Sequence, residues 1–323
     1  MTDPTISPDE NRFRAIEFRT PAWLHVAVSL MPATWSKYRE DLEDIVVRHP
    51  RLFGEYERGS QDFDNFGGRY GEGEYTDEWG CVWKNIAQGL DSLCVHHPLA
   101  DWAAFEDYTP PPPGNDLPHG FMYQRLYYLR GFENFMMDLI DEPPQLARMI
   151  DMVRDHNLAV ARKMVADKPR IVHFGDDLGM QDRVAMGPDL WRRYLKPCFA
   201  QIYGVCRQAG AHVYMHTDGH VLPIIRDLIE CGVTVLNPQI RANGLDGLVA
   251  ECKGKVCVNL DLDRQLFPFC TPADIREHVR EAVVKLGAKE GGLMLSAECE
   301  PDVPLENIEA ICQALEDHMS FFN

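Results

Sequence analysis

Short apolar segments and amphipathic helices alternate from about residue 119 to the end of the chain, and this alternation constrains the fold most. The strand-like segments are four or five residues long and rich in Val, Leu and Met, over 170–174, 212–215, 233–236, 256–260 and 293–296. Apolar residues at helical spacing occupy 143–168, 188–209, 221–230, 245–252, 272–286 and 304–318. Short strands joined by single helices are typical of a parallel sheet that is buried on both faces.

The number of these units favours a closed barrel. The segments 23–30 and 121–130 add two predicted strands, the second of them rich in aromatic residues. This many units over roughly 200 residues suits an eight-stranded barrel better than a doubly wound sheet, which would carry a Gly-x-Gly-x-x-Gly loop after its first strand. The sequence has no such loop. We therefore predict an α/β fold, a (β/α)8 TIM-type barrel that forms a single domain over residues 1–323.

Residues 55–118 interrupt the alternation. A glycine-rich stretch over 67–73 leads into a short segment rich in Tyr, Trp and Val, and four consecutive prolines follow at 110–113. Glycine-rich stretches favour turns, and a run of prolines is extended. We predict a loop and a β-hairpin, inserted near residues 55–118 and covering the mouth of the barrel.

Charge and composition exclude several classes of protein. Acidic residues outnumber basic ones 50 to 32, and a net charge of −18 repels nucleic acid and anionic lipid surfaces. No apolar run approaches the ~20 residues that cross a bilayer, and the N-terminus lacks the pattern of a signal peptide. The ten cysteines contain no Cys-x-x-Cys pair, which in a reducing compartment predicts core residues with one or two that are reactive or metal-bound. We predict a cytoplasmic protein that binds neither nucleic acid nor membrane.

The residues that follow each predicted strand are candidates for an active site, because barrel enzymes place catalysis at the carboxyl ends of their strands. His216 and Asp218 follow one strand, and Cys299 follows another. Residues two apart on an extended segment point the same way, so His216 and Asp218 can reach one ion, with Cys299 as a third ligand and one position open, as in catalytic zinc sites. The alternative is a solvated His–Asp pair beside an inert cysteine. His220 is a substitute ligand or a residue at the start of a helix.

Acidic and amide residues near the same ends form the rest of the predicted site. Asp176, Asp177 and Glu298 are the predicted catalytic residues, although an adjacent pair of acids such as Asp176 and Asp177 also fits a helix cap or a loop acceptor. The predicted substrate-binding residues are Asp77, Asn134, Gln181, Asn237 and Asp261. For Asp77, an exposed acid on a surface hairpin is the alternative.

Seven segments, in consistent order, resemble the uroporphyrinogen decarboxylase superfamily. They are His-Phe-Gly-Asp-Asp-Leu-Gly-Met-Gln (173–181), Met-Gly-Pro-Asp-Leu-Trp-Arg-Arg-Tyr-Leu-Lys-Pro (186–197), His-Thr-Asp-Gly (216–219), Ile-Arg-Asp-Leu-Ile-Glu-Cys-Gly (225–232), Asn-Leu-Asp (259–261), Thr-Pro-Ala-Asp-Ile-Arg (271–276) and Asp-Val-Pro-Leu-Glu-Asn-Ile-Glu-Ala (302–310). The resemblance covers about residues 120–320 and implies a (β/α)8 barrel, in agreement with the alternation.

The resemblance implies one of two chemistries. The haem-pathway decarboxylase binds substrate carboxylates through an arginine-containing N-terminal segment, whereas residues 21–29 here read Pro-Ala-Trp-Leu-His-Val-Ala-Val-Ser. The other branch comprises corrinoid-linked methyltransferases, which bind zinc through His-x-Cys and a distant Cys. His216 and Cys299 match the first and last of these ligands, and Asp218 stands in the middle position. The resemblance to this branch implies zinc, a corrinoid carried by a partner protein, and a homodimer.

The sequence therefore predicts a zinc-dependent methyltransferase. It would move a methyl group between a small O-, N- or S-methylated substrate, or a thiol, and a corrinoid protein. The first alternative is a metal-free decarboxylase or lyase of the uroporphyrinogen decarboxylase type that acts on a different substrate. The second alternative is a barrel that binds a tetrapyrrole or corrinoid without catalysis.

Overall fold

The computed structural model describes residues 6–322. Its strands are β1 (His25–Leu30), β2 (Gly73–Thr76), β3 (Val82–Asn85), β4 (Leu93–His96), β5 (Ile171–Gly175), β6 (His212–Thr217), β7 (Val235–Pro238), β8 (Cys257–Asp261) and β9 (Leu293–Cys299). The helices before β5 are α1 (Pro8–Ile16), α2 (Pro32–Arg48), α3 (Pro50–Phe53), α4 (Tyr123–Arg130), α5 (Phe132–Asp141) and α6 (Pro144–Met164). Those after β5 are α7 (Pro188–Tyr194), α8 (Lys196–Gln208), α9 (Ile225–Cys231), α10 (Ile240–Asn243), α11 (Leu245–Cys252), α12 (Pro272–Leu286) and α13 (Leu305–His318).

Six strands form the main sheet, in the order β1-β9-β8-β7-β6-β5, and the pairs β1–β9, β8–β9 and β5–β6 are parallel. Helices connect these strands, so the predicted α/β fold is confirmed. Over residues 6–322 the main sheet has six strands, and its closure into an eight-stranded barrel stays a prediction.

The chain divides into two compact units. The described part of the first consists of residues 6–72, 85–91 and 238–322, and the second consists of residues 73–84 and 92–237. In the first unit, α12 packs on α13. Helix α12 begins with a capping box, in which the Thr271 hydroxyl accepts from the Asp274 N–H and the Asp274 carboxylate accepts from the Thr271 N–H.

The core of the second unit is aromatic. Phe174 on β5 lies 4.9 Å from Tyr203 on α8, and Phe121 lies 5.4 Å from Phe199, as measured between ring centroids. Each of these four side chains is at most 4% exposed. This packing fixes the chain just before α4 against β5 and α8, close to the end of β5.

The prediction of a strand over 121–130 was wrong, because Tyr123–Arg130 is helix α4. Of the aromatic residues that suggested a strand, Phe121 precedes the helix, Tyr123 is buried, and Tyr127 and Tyr128 are half-buried. The helix ends at Gly131, whose φ is +85°. The predicted helix over 188–209 is two helices, α7 and α8, with Pro197 in the first turn of α8. Proline lacks the N–H that a continuous helix would need at that position.

Within the predicted insertion, β2, β3 and β4 form a separate three-stranded sheet, in which β3 and β4 are antiparallel. The predicted hairpin is therefore present.

None of the helices in residues 6–322 combines the length and the apolar character needed to cross a membrane.

Candidate metal centre

Three potential metal ligands meet at the carboxyl ends of β5 and β6. The register pairs Gly175 with His216, so the residues after β5 lie beside the last residues of β6. His119, Asp177 and His216 each offer a ligand atom, and these atoms all lie within 4.8 Å of one another. We call these three residues the His–Asp–His cluster.

Asp177 is the centre of the cluster. Its Oδ2 accepts from His119 Nε2 at 2.9 Å and from Gln124 Nε2 at 3.1 Å, and its Oδ1 accepts from the Asp218 N–H at 3.0 Å. Its own N–H donates to Gln124 Oε1 at 3.0 Å. Burial by itself would raise the pKa of Asp177, but the His119 hydrogen bond, the two imidazole charges and the Asp218 N–H lower it below its ordinary value. The carboxylate is therefore ionised at neutral pH.

Asn237 on β7 orients His216. Its Oδ1 lies 2.7 Å from His216 Nδ1, so the amide oxygen accepts and Nδ1 carries the proton. His216 Nε2 then faces Asp218 Oδ1 at 3.3 Å and Asp177 Oδ1 at 3.9 Å. Burial would lower the pKa of His216, but the hydrogen bond and charge of Asp218, the charge of Asp177 and the Asn237 bond raise it to about 9.

His119 completes the cluster from the loop before α4. Its ring lies 5.5 Å from the ring of His216, and a Cβ on Gly175 would lie 2.4 Å from His119 Nδ1, so only glycine leaves room for the imidazole there. Burial would lower the pKa of His119, but the hydrogen bond and charge of Asp177 raise it. Two imidazoles with raised pKa values thus face carboxylates, an array that neutralises its own charge.

Asp176 lies next to the cluster and serves a different purpose. It is fully buried, and its carboxylate accepts from the N–H groups of Met122, Tyr123 and Gln124 at 3.2, 2.6 and 3.0 Å. Burial raises the pKa of Asp176 to about 7, while the N–H groups of Gln124 and Tyr123 act in the opposite direction. These N–H groups begin α4, so Asp176 caps that helix and holds Gln124 against Asp177.

Two glycines let the loops after β5 and β6 touch. A Cβ on Gly179 would lie 2.3 Å from the His220 backbone nitrogen, and a Cβ on Gly219 would lie 2.3 Å from the Gly179 carbonyl. The Gly179 N–H donates to the Asp218 carbonyl at 3.1 Å, and the His220 N–H donates to the Met180 carbonyl at 2.7 Å. This contact positions Asp218 beside the cluster.

We expect Gly179→Ala to lower the free energy of unfolding by about 1–3 kcal/mol, because a methyl group there forces two backbones apart. Urea denaturation measures this change. Gly204→Ala is the matched control, since Gly204 lies in α8 with nothing within 4 Å of an added Cβ. The control is expected to be neutral or up to about 1 kcal/mol stabilising. Equal effects of the two substitutions would contradict this account.

The other residues that the sequence predicts for catalysis or substrate binding lie outside the His–Asp–His cluster. Asp77 accepts in its hairpin from the Trp79 and Cys81 N–H groups, the Trp83 indole and Arg125. Asn134 on α5 donates to the Ala100 and Arg130 carbonyls, and Gln181 is exposed in the loop after β5. In the first unit, Asp261 is buried at the end of β8, and Glu298 on β9 pairs with Arg264. Their roles toward substrate stay predictions.

Cys299 is the last residue of β9 and is fully buried. Its carbonyl accepts from the Thr34 hydroxyl at 2.7 Å and from the Met31 N–H at 3.2 Å. Burial raises the pKa of the Cys299 thiol well above its ordinary value. Within residues 6–322 the metal-ligand group comprises His119, Asp177 and His216, and it includes neither Cys299 nor Asp218.

Sequence reasoning did not identify His119 or Gln124. The strand predicted over 121–130 directed attention to residues after its end, near Asn134, whereas the helix begins at the site. The signal that was present is Gly120, whose N–H donates to the Gly175 carbonyl at 2.8 Å and so brings His119 to the end of β5.

The donor groups of the cluster could hold a metal ion. Two imidazole nitrogens and one carboxylate oxygen are donors that zinc accepts, and three protein ligands leave a fourth position for substrate. The hydrogen bond from His216 Nδ1 to Asn237 is the kind of outer contact that fixes a ligating imidazole. The His216 and Asp177 side chains are 29% and 28% exposed, so a small molecule can reach them.

One protein family matches this chain over more than half of its length. The family described as Uroporphyrinogen decarboxylase (URO-D) matches residues 124–318. Asp177, His216 and Asn237 lie inside the matched range, and His119 lies before it. No curated protein matches this sequence.

Three solved structures are similar to this chain at low sequence identity. A methyltransferase from Methanosarcina mazei is 16% identical, with a TM-score of 0.62 over 95% of this chain and 98% of that chain. A B12-independent methionine synthase from Shewanella sp. W3-18-1 is 11% identical, with a TM-score of 0.42 over 80% of this chain and 75% of that chain. An endo-beta-1,4-xylanase from Gloeophyllum trabeum is 11% identical, with a TM-score of 0.39 over 92% of this chain and 97% of that chain. The first similarity shows the fold alone.

Proposed function

Since the chain belongs to the uroporphyrinogen decarboxylase family, we propose that it is a zinc-dependent methyltransferase of that family. It would move a methyl group between a small O-, N- or S-methylated substrate, or a thiol, and a corrinoid carried by a partner protein. The observation that supports zinc is the convergence of His119, Asp177 and His216 within 4.8 Å. The solved structure from Methanosarcina mazei is that of a methyltransferase, and its similarity to this chain supports the fold that the proposal assumes.

The residues present fit zinc. His216 would ligate through Nε2, because Nδ1 is bonded to Asn237, and His119 would ligate through Nε2, which faces Asp177. Bound zinc would supply a Lewis acid for a methylated heteroatom or an acceptor thiol. Asp177 would balance the charge of the ion, and Asp218, whose Oδ1 lies 3.3 Å from His216 Nε2, would add a second carboxylate beside it.

The residues beside Asp177 would position the substrate. Gln124 Nε2 reaches the hydroxyl groups of Tyr127 and Tyr128 at 3.3 and 3.1 Å as well as Asp177. Both tyrosines are half-buried. Burial raises the pKa of Tyr127 and of Tyr128, so both hydroxyls stay protonated at neutral pH. They can donate hydrogen bonds to a substrate oxygen or nitrogen next to the cluster.

The test measures methyl transfer with and without zinc. The full chain is stripped with a chelator and reloaded with one equivalent of zinc. Methylcobalamin is offered with a panel of small thiols, and cob(I)alamin is offered with methoxy, methylamino and methylthio compounds. We expect transfer that requires zinc. The proposal is contradicted if the stripped protein transfers methyl groups as well as the zinc-loaded protein does, or if the protein does not retain zinc.

Zinc affinity should depend on pH. Zinc takes a neutral imidazole, and the His216 pKa is raised to about 9, so binding below that pH releases a proton. We expect affinity to rise by about tenfold per pH unit between about pH 6.5 and 8.5, and more steeply where His119 also releases a proton. Competition with a chromophoric chelator measures this slope.

The control for that slope is Asp218→Asn, which removes the largest charge that raises the His216 pKa and should flatten the slope. An affinity that does not change with pH would contradict the protonated state of His216.

The raised pKa of His216 also affects the stability of the zinc-free protein. Because the folded pKa lies above the unfolded value of about 6.5, the stabilisation is complete below about pH 6.5 and is lost as the pH rises to about 9.

One observation favours a second function, a metal-free decarboxylase or lyase. In the protein without metal, His119 and His216 have raised pKa values beside Asp177 and Asp218, so a protonated imidazole is available as a general acid. Such a group could protonate the carbanion that a decarboxylation leaves. Release of carbon dioxide from a panel of small carboxylic acids by the chelator-stripped protein would favour this function over methyl transfer.

A further inference from the structure

Two free cysteines lie side by side in the hairpin of the second unit, apart from the His–Asp–His cluster. Cys81 directly precedes β3 and Cys94 lies on β4, where Cys94 pairs with Trp83. The Sγ atoms of Cys81 and Cys94 lie 3.3 and 3.8 Å from the same acceptor, the Tyr128 carbonyl. The remaining eight cysteines play no part in this contact.

The two thiols have different surroundings. Cys81 is fully buried, with Arg125 Nη1 at 3.9 Å from its sulfur. Cys94 is half-buried, and its Sγ lies 3.6 Å from His97 Nδ1. The neighbouring Cys81 thiol lowers the pKa of Cys94, whereas the Cys94 thiol and burial together raise the pKa of Cys81. An accessible thiol that ionises readily, beside a buried thiol that does not, is the arrangement of a reactive dithiol.

Small molecules can reach Cys94. The Cys94 side chain is itself only partly buried, and His96, two residues further along the same strand, is exposed. The register of the strand pair is irregular here, because Val82 pairs with His96 and Trp83 with Cys94, which leaves Val95 as an extra residue. Such a bulge bends the strand locally and re-aims neighbouring side chains.

We propose that Cys81 and Cys94 form a reversible dithiol–disulfide couple that exchanges with small disulfides such as oxidised glutathione. The Cys94 thiolate attacks one sulfur of oxidised glutathione, a mixed disulfide forms, and one glutathione thiolate leaves and takes up the proton that Cys94 lost. Cys81 then loses its proton and attacks the Cys94 sulfur, and the second glutathione leaves as its thiol. The protein dithiol is oxidised by two electrons, and one glutathione disulfide is reduced to two thiols.

Oxidation would change the contacts of α4. Both thiols now approach the Tyr128 carbonyl as donors, and a disulfide has no S–H to donate. The His97 Nδ1, 2.8 Å from the same carbonyl, would remain as its side-chain partner. The couple is thus placed on the helix that carries Gln124, although its chemistry does not depend on methyl transfer.

Peptide mapping of the full chain tests the couple directly. Trypsin cuts after Lys84, so Cys81 and Cys94 fall in separate peptides, 70–84 and 85–125, each with one cysteine. After equilibration with glutathione buffers of increasing oxidation, we expect these two peptides to become linked by a disulfide. The count of alkylatable thiols should fall by two from ten, and excess reduced glutathione should restore it.

Single substitutions separate the roles of the two thiols. Cys81→Ser should accumulate a mixed disulfide with glutathione at Cys94, and Cys94→Ser should leave Cys81 unmodified. Cys270→Ser is the matched control, since Cys270 is also half-buried, and it should retain the linked peptides. The proposal is overturned if peptides 70–84 and 85–125 of the unmodified sequence stay unlinked at every buffer ratio. It is also overturned if glutathione attaches to Cys270 in preference to Cys94.

Discussion

Asp176→Ala is expected to lower the free energy of unfolding by about 3 kcal/mol or more. The substitution leaves the buried N–H groups of Met122, Tyr123 and Gln124 without their acceptor, and each unsatisfied buried donor costs about 1–3 kcal/mol. It also removes the only side chain that caps the N-terminus of α4 in the described residues. Chemical denaturation followed by circular dichroism measures the change.

Two variants calibrate this effect. Asp176→Asn keeps the size and one good acceptor oxygen, so its loss should be smaller than that of the alanine variant. Asp189→Ala removes an acid from the first turn of α7, where the side chain is 96% exposed, and should change stability by about 0.5 kcal/mol or less. If Asp176→Ala were no more harmful than Asp189→Ala, the cap would not hold α4. Zinc binding should weaken with Asp176→Ala as well, because α4 holds Gln124 against Asp177.

His119→Ala and His216→Ala are each expected to reduce zinc affinity by about 100-fold or more and to abolish zinc-dependent methyl transfer. Each variant removes one of three ligands, so the two that remain cannot hold the ion at working concentrations. Zinc content after gel filtration and competition with a chelator measure the loss. His220→Ala is the control, since it removes an imidazole from the adjoining loop outside the cluster.

Cys299→Ala distinguishes the cluster from the ligand set His216, Asp218 and Cys299 that the sequence predicts. We expect this variant to retain one zinc per chain, because Cys299 is fully buried and its thiol has a raised pKa. The sequence-derived set requires the opposite result, with zinc lost from Cys299→Ala and kept by His119→Ala. Both sets contain His216, so the His119 and Cys299 variants together decide between them.

Reasoning from strand ends identified part of the candidate site. Asp177 and His216 follow from the apolar runs that predict β5 and β6, since the carboxyl ends of neighbouring parallel strands meet at one edge. The resemblance to the uroporphyrinogen decarboxylase superfamily is confirmed by the family match over 124–318. Asn237 was predicted to bind substrate, and in the structure it bonds His216, which local sequence cannot reveal because the two residues lie 21 positions apart.

The sequence by itself determined the α/β alternation, the parallel strands and the acids and histidine at their ends, because apolar periodicity is a local property. Tertiary structure decided that most of residues 121–130 form a helix and not a strand, and that His119 joins Asp177 and His216 in the cluster. Helix α4 has no side-chain cap of its own, and its acceptor is Asp176, which lies 52 to 54 positions further along the chain. Because this carboxylate is so distant in sequence, the local pattern of residues 121–130 does not indicate a helix cap. By capping α4, Asp176 holds the start of the helix, and His119 just before it, at the end of β5.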